Sequence, residues 1–376
     1  SRQAAEVSGM TRAALLAGMM VLVYVTQQSG VYDFIAVKAG QFSKGNSLAL
    51  VIMMSATVAI LSGFLDNLTT ILLIVPVTFL LADTLDINPI PLIIVEVMSA
   101  NIGGAATLIG DPPNILIGAA ADLSFNDFLI NNLPAVTVIL SVVTVGLYFV
   151  FRKQLHVEEK NKKYVMELDA AASITDREEL KRTLPVLIGT IVFFFAHQYI
   201  HIEPATVALT GAAVALLVTK VPIEKALENI EWTTIFFFIG LFVMVGALEV
   251  TGAIDHVGEA IMNVTNGNRD AELVAIIWTS SVVGGIVDNI PLTTAMIPVV
   301  QDIQAGSGDN AYWWALSLGA CFGGNLTLVS AAANLAAAGM ADRSGQPIGF
   351  WAFLKIGLPV TLISTVMATV YILARY

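Results

Sequence analysis

Twelve apolar stretches dominate this chain, near residues 11–29, 48–65, 70–85, 91–121, 133–151, 184–200, 204–219, 233–251, 272–287, 290–304, 311–340 and 350–375. Each is long enough to cross or deeply enter a bilayer. Backbone in lipid must satisfy its own hydrogen bonds, so all of them read as helices. Only 12% of the 376 residues are charged, against roughly 25% in soluble chains. That excludes a water-soluble enzyme, a nucleic-acid binder and a disordered scaffold, and makes the lipid bilayer the main partner. The one hydrophilic interruption, residues 152–183, holds 8 bases and 7 acids and reads as an extramembrane linker. The linker is thus at +1 and the remaining residues, with 10 bases and 22 acids, at −12, so the acid excess behind the formal charge of −11 lies in the membrane-associated part. A single cysteine, Cys321, excludes an internal disulfide and a zinc site of several thiolates.

The chain also repeats itself. A shift of 222 carries Gly18, Gly30 and Asp33 onto Gly240, Gly252 and Asp255, and Asp66, Asn67 and Pro76 onto Asp288, Asn289 and Pro298. A shift of 220 carries Gly103, Gly104, Thr107, Leu108 and Asn114 onto Gly323, Gly324, Thr327, Leu328 and Asn334. A shift of 225 carries Phe125, Phe128, Leu129 and Pro134 onto Phe350, Phe353, Leu354 and Pro359. The expected organisation is therefore a first repeat over 1–151, a linker over 152–183 and a second repeat over 184–376. The segments 184–200 and 204–219 have no counterparts before Met10, and the chain does not open on Met. The expectation is that N-terminal helices are missing from this sequence.

Threading the chain with the linker in the cytoplasm, and 48–85 and 272–304 returning to their starting side, places 14 of the 18 Lys and Arg inside. The linker then follows an odd number of crossings, which inverts the second repeat. Inverted repeats with interrupted helices mark secondary transporters. Charge counting leaves open whether 48–85 and 272–304 are re-entrant hairpins or pairs of full crossings.

Two constellations carry the chemistry. The first is SGFLDNLTTILLIVP (62–76) with its partner GGIVDNIPLTTAMIP (284–298). An Asp at bilayer depth costs roughly 2.5 to 3.5 kcal/mol unless it meets protein, water or an ion. Asp-Asn followed by Thr also caps a returning helix and aims its N–H groups at the tip. The second is ANIGGAATLIGDPPNILIG (100–118) with its partner CFGGNLTLVSAAANLAAAG (321–339). Gly103, Gly104, Gly110, Asp111, Pro112 and Pro113 should unwind a long apolar helix and free backbone groups for a ligand. Glu96 pairs with Leu316 and Asp111 with Ala331, so neither acid is repeated. Unmatched acids at depth suit proton carriers. Asp111 reads equally as a cap before Pro112, and Glu96 alternatively as a headgroup-level residue. His197 and His201 read as lining the outer interface, and Asp33 and Asp255 as starts of interfacial arms.

Nothing in the sequence matches a Walker loop, a dinucleotide fingerprint or a catalytic triad. The chain reads as no enzyme, without a cofactor. Any pumping would be driven by an ion gradient or a partner ATPase.

SGFLDNLTTILLIVPV, SANIGGAATLIGDPPNILIGAAADLSFNDFL, DNIPLTTAMIPVV and GACFGGNLTLVSAAANLAAAGMADRSG closely resemble the ion transporter superfamily. The match is best to the branch holding the arsenite-pump membrane protein and the melanosomal P protein. Sodium/proton antiporters and sodium-coupled dicarboxylate carriers are more distant relatives. The resemblance implies an all-α polytopic membrane protein of elevator type, usually a homodimer, with two hairpins and two broken helices carrying the substrate. Carried over by position, the hairpin tips are Asp66, Asn67, Thr69 and Thr70, then Asp288, Asn289, Thr293 and Thr294. The unwound stretches are Gly103, Gly104, Thr107, Gly110, Asp111 and Asn114, then Gly323, Gly324, Asn325, Thr327, Ser330 and Asn334. Sodium would sit near Asp66, Asn67, Asp288 and Asn289.

The dicarboxylate carriers have Ser-Asn-Thr tips, whereas both tips here begin with Asp and none of the four loops holds Lys or Arg. Two such charges repel a dianion by about 4 kcal/mol per pair at an effective dielectric near 20. The expected activity is proton-coupled transport of a small inorganic species across the cell (inner) membrane, arsenite or antimonite export first. Sodium/proton exchange is the alternative. A sodium-coupled carboxylate carrier or a passive channel ranks lower.

Overall fold

The computed structural model describes residues 2–200, 202–230 and 265–376, with scattered positions between 232 and 244. The protein is all helical; no strand occurs among the described residues. Six described helices are long and apolar enough to cross a membrane, and the pair Ala14–Gln27 and Val31–Phe42, bent by 68°, is long and apolar enough together to make a seventh. Most of the 233–251 stretch, and with it Gly252, Asp255 and His201, lies outside the described residues.

Each half contains the same sequence of elements, except that a short helix Phe125–Asn131 precedes the last helix of the first half only. In the first, helices Ser47–Leu65 and Asn67–Leu85 form a hairpin, Ile90–Gly104 and Pro112–Ala121 flank a break, and Leu133–Phe151 follows. In the second, Arg269–Val287 and Asn289–Ser307 form the hairpin, Ala311–Gly323 and Ala332–Arg343 flank the break, and Phe350–Arg375 follows. Each hairpin arm has 19 residues, enough at ~1.5 Å per residue to approach the thickness of a bilayer core. The tips of both hairpins meet the breaks of the other helices.

The halves of the broken helices nearest the tips form the core. Every residue from Pro91 to Gly104, and from Ala311 to Gly323, is buried. Helices with no exposed polar face belong inside a bundle, and the few polar groups of these two, Glu96, Ser99, Asn101 and Ser317 among them, are buried with the rest. Gly103 and Gly323 let the hairpins approach. A Cβ on Gly103 would fall 2.5 Å from the Ala59 carbonyl oxygen, and one on Gly323 would fall 2.6 Å from that of Ser281. Ala59 and Ser281 are themselves 222 residues apart, so the same close approach is made in both halves.

Helix Arg2–Gln27 packs instead on Pro204–Val218, which lies against Arg177–Ile200. Gly18 faces the backbone of Ala208 and Leu209, where an added Cβ would lie 2.8 Å away. This three-helix group meets the rest where helix Arg2–Gln27 touches Pro112–Ala121 and Ser47–Leu65, and at Phe125, which stacks on Phe194 at 5.9 Å and meets Phe195 edge-on at 5.1 Å. His197 is buried at this joint. Its Nε2 accepts from the Phe125 N–H at 3.3 Å, which leaves Nδ1 to donate to the Ile202 carbonyl at 3.2 Å. The residue read as lining the outer interface is thus an internal bracket.

The linker folds back onto the first half. It contains helix Glu159–Glu167 and a 3-10 turn Ala170–Ser173, and its end enters helix Arg177–Ile200. Leu155, Val157, Val165 and Ala170 are buried. Asn161 donates to the Leu85 carbonyl at the end of the first hairpin (3.1 Å), and Gln41 to the Leu168 carbonyl (2.6 Å). The Thr175 N–H reaches the Ser29 carbonyl at 3.0 Å. Gly30 sits there at φ 77° against the Ser173 carbonyl, with no room for a side chain.

Candidate functional site

Both hairpin tips turn on an aspartate in an unusual conformation. Asp66 has φ 88° and ψ 159°, and Asp288 has φ 147° and ψ 143°, a region that is nearly glycine-only. Each is held by capping the returning helix. Asp66 accepts from the Thr69 N–H at 2.9 Å and the Thr69 hydroxyl at 2.7 Å; Asp288 accepts from the Ile290 N–H at 2.8 Å. Both carboxyls are half-buried. Asn67 and Asn289, one residue on, are buried.

The tips reach the breaks. Asn67 accepts from Ser62 Oγ at 2.5 Å and donates to Asn101 Oδ1 at 3.2 Å. The Asn101 amide nitrogen in turn has three acceptors: the Gly324 carbonyl at 3.1 Å, Asn325 Oδ1 at 2.9 Å and Asn334 Oδ1 at 3.0 Å. The Asn289 N–H donates to the Ser330 carbonyl at 3.3 Å. One continuous amide network therefore joins the first tip, both broken helices and the second tip. Asn101 is its hub, and the motif reading did not single it out.

The bonds inside the two breaks repeat. Asn114 donates to the Gly104, Ala105 and Thr107 carbonyls at 3.3, 3.3 and 2.8 Å. Asn334 donates to those of Gly324 and Thr327 at 2.7 and 2.8 Å. Thr107 donates to the Gly63 carbonyl, and Thr327 to the Gly285 carbonyl at 2.7 Å. Gly110 N–H donates to the Thr107 hydroxyl at 3.1 Å, and in the other half the Thr327 N–H donates to the hydroxyl of Ser330, the counterpart of Gly110, at 3.3 Å. The carbonyls expected to be freed for a ligand are thus largely occupied by asparagine amides, because a buried carbonyl needs a donor whether or not a ligand is present.

The groups with spare capacity are side chains. Asp111 is buried, and its Oδ2 has no hydrogen-bond partner among the described residues; the same holds for the Thr70 hydroxyl. Asp111 occupies the cap position of Pro112–Ala121 but makes no side-chain cap. The first two helical residues are prolines without N–H groups, so capping offers it little. The carboxyl lies beside Cys321 and Asn67, within the electrostatic reach of Asp66 and Asp288. Its counterpart Ala331 holds the same backbone position without an acid, so the fold does not require one. Thr293 and Thr294 bond back to the Asn289 and Ile290 carbonyls of their own helix at 2.6 and 3.0 Å.

A second buried relay braces this centre. Asn132 donates to the Ala105 carbonyl at 2.9 Å and to Ser317 Oγ at 2.8 Å, and Ser317 donates to Asn114 Oδ1 at 2.7 Å. Cys321 points at the same Asn114 oxygen from 3.6 Å. Glu96 is fully buried within the protein; Thr78 donates to its Oε1 at 2.5 Å. Isolated polar residues in otherwise apolar helices were the available signal for Asn101, Asn132 and Ser317. The repeat comparison hid Asn101, since its counterpart is Cys321.

Comparisons with known proteins agree with this architecture. The family CitMHS, described as citrate transporter, matches residues 2–319. A protein of Mycobacterium tuberculosis strain H37Rv, named an uncharacterized transporter, is 41% identical over 366 residues, covering 96% of this chain and 85% of that protein. The 46 kDa membrane protein of Mycobacterium leprae is 39% identical over 366 residues, with the same 96% and 85% coverage. The P protein of Mus musculus is 33% identical over 444 residues, 96% of this chain and 53% of that protein. The crystal structure of the Alcanivorax borkumensis YdaH transporter shares the fold, with a TM-score of 0.64 over 96% of this chain and 84% of that one at 15% identity. With a match along most of its length and transporters among its relatives, the chain is a multi-pass membrane transporter and belongs to the citrate transporter family CitMHS.

Proposed function

We propose that the protein is a secondary active carrier that couples proton movement to transport of a small inorganic species, bound where the two tips and the two breaks meet. The observation that carries this reading is Asp111. It is a buried acid with an unused oxygen, placed among Asn67, Cys321 and the two tip aspartates, at a position where the other half does without an acid. Asp66, Asp111 and Asp288 would exchange the coupled proton or cation, and the amide network would hold the rest of the site. No Lys or Arg joins the hydrogen-bonded centre among the described residues. Two ionised carboxylates ~4 Å from a like charge each cost about 4 kcal/mol at an effective dielectric near 20. A citrate-like trianion would need bound cations to offset them, despite the family's name. A neutral hydroxide such as arsenite or antimonite carries no such penalty, which makes their export the leading substrate assignment. The grouping of helices Arg2–Gln27, Arg177–Ile200 and Pro204–Val218 apart from the hairpins fits a scaffold for elevator motion and dimerisation, in a cell membrane with the linker cytoplasmic.

Sodium/proton exchange is the second reading. It is favoured by half-buried Asp66 and Asp288 standing beside amide and hydroxyl oxygens. Flux in proteoliposomes under an imposed pH gradient, with arsenite, antimonite, sodium, lithium and citrate in parallel, separates the readings. A carrier saturates and moves its substrate uphill. Non-saturating downhill flux, or full coupled flux in Asp111→Ala, would sink the proposal; Ala331 indicates that this variant folds.

A further inference from the structure

Outside the amide centre, the buried group with least structural justification is Glu96. It stands five residues before Asn101 on the same helix, about 7.5 Å along the axis. Its side chain is fully buried, and Oε2 has no hydrogen-bond partner among the described residues. The Thr78 hydroxyl that holds Oε1 comes from the second arm of the first hairpin. The pair therefore spans the surface along which hairpin and broken helix touch.

The other half shows what that surface needs for packing. The repeat offsets place Leu316 opposite Glu96 and Val300 opposite Thr78, and both aliphatic residues are fully buried. Acid and hydroxyl are thus replaced together by leucine and valine at the equivalent contact. Packing alone is met by the aliphatic pair, so the polar pair serves another purpose.

No counter-charge supplies that purpose. The charged residues on the elements packed around helix Ile90–Gly104 are Asp66, Asp83, Asp342, Arg343, Lys355 and Arg375, all at a tip or within one to two turns of a helix end. The other titratable groups on those elements are Tyr148, Tyr312, Cys321 and Tyr371. Tyr312, Cys321 and Tyr371 bond elsewhere, and only Thr78 acts on Glu96 besides its burial. A lone carboxylate in such an enclosure is tenable only with a bound cation. Hard metal cations take about six oxygens, whereas this pocket offers one carboxyl and one hydroxyl. A proton needs one oxygen.

We propose that Glu96, paired with Thr78, is a proton-binding site separate from the Asp-Asn centre, and that its occupancy sets how the first hairpin packs on the broken helix. Its use in coupling rests on the carrier reading above; the site itself does not.

The test is pH-induced infrared difference spectroscopy on the full chain in lipid. The expected result is a carboxylic-acid carbonyl band that disappears on alkalinisation, persists in the Asp66→Asn, Asp111→Asn, Asp288→Asn triple variant and is lost when Glu96→Gln is added to it. Thr78→Val should shift the band by removing its hydrogen bond, which a merely structural role would not do. Glu96→Leu with Thr78→Val reproduces the second half's pair and should fold with wild-type thermal stability. In proteoliposomes this double variant should shift the pH profile of arsenite or sodium flux, losing the contribution of Glu96 and keeping that of Asp66, Asp111 and Asp288, while retaining the flux. A band that survives Glu96→Gln in the background of the Asp66→Asn, Asp111→Asn, Asp288→Asn triple variant, or no titrating band in that triple variant itself, overturns the site. Unchanged pH dependence in the double variant overturns its control of the hairpin. Absence of flux with every probe would refute the carrier reading instead, and the infrared result would still decide Glu96.

Discussion

Replacing the tip aspartates by glycine should stabilise the protein while abolishing its transport. At φ 88° and 147°, Asp66 and Asp288 occupy backbone conformations that cost an L-residue about 1–3 kcal/mol each and glycine very little. Against that gain stands loss of the caps, two hydrogen bonds from Thr69 at the first tip and one from Ile290 at the second. Exchange of an N-cap acid for glycine costs only a few tenths of a kcal/mol, so each Asp→Gly should net about 1–2 kcal/mol. A domain of 150–250 residues gains roughly 2–4 °C in Tm per kcal/mol, and a chain of 376 gains less. A rise on the order of 2 °C per tip is expected. The assay is thermal unfolding in detergent by tryptophan fluorescence, with Asp66→Gly, Asp66→Asn and Asp288→Gly side by side. Asparagine tolerates the left-handed helical region but gains nothing at ψ 159°, so Asp66→Asn should not share the rise. An Asp66→Gly protein no more stable than Asp66→Asn would refute the strain argument. Coupled flux intact in both glycine variants would refute the role given to the acids.

Asn101→Ala should cost about 2–4 kcal/mol, because it strands buried groups on Asn67, Asn325 and Asn334 together; a Tm within a degree of wild type would show that the network is dispensable. Gly103→Ala and Gly323→Ala should each lose about 1–3 kcal/mol by overpacking against Ala59 and Ser281. Gly146→Ala, with nothing within 4 Å, should be neutral or slightly stabilising in the same melt. Val165→Asp puts an acid into the buried face of the linker and should speed tryptic cleavage within 152–183 several-fold by local unfolding; equal cleavage rates would mean that the linker is already loose.

Much of this protein was legible in its residues because lipid removes choices. Long apolar segments can only be helices there, and Asp-Asn or Gly-Gly interruptions in such segments are too costly to be incidental. The repeat offsets then located the tips and breaks without any fold in view. What the one-dimensional pattern could not supply was which donor meets which carbonyl. The break carbonyls of Gly104 and Thr107 looked open in sequence, and it took the fold to bring the Asn114 amide back across them. Symmetry misled at Asn101, whose amide meets three acceptors in the other half, whereas its counterpart Cys321 is a thiol that reaches across to Asn114. Asp111 could equally have been a cap until the structure showed its side chain making no bond to the helix that follows it. Chain order and hydropathy by themselves determined helix, hairpin and break, since these follow from local backbone chemistry and the solvent. Only tertiary structure decided that both tips converge on one amide network and that Glu96 lies buried apart from it, because those facts depend on contacts between residues more than two hundred positions apart and on which face of each helix the packing turns inward.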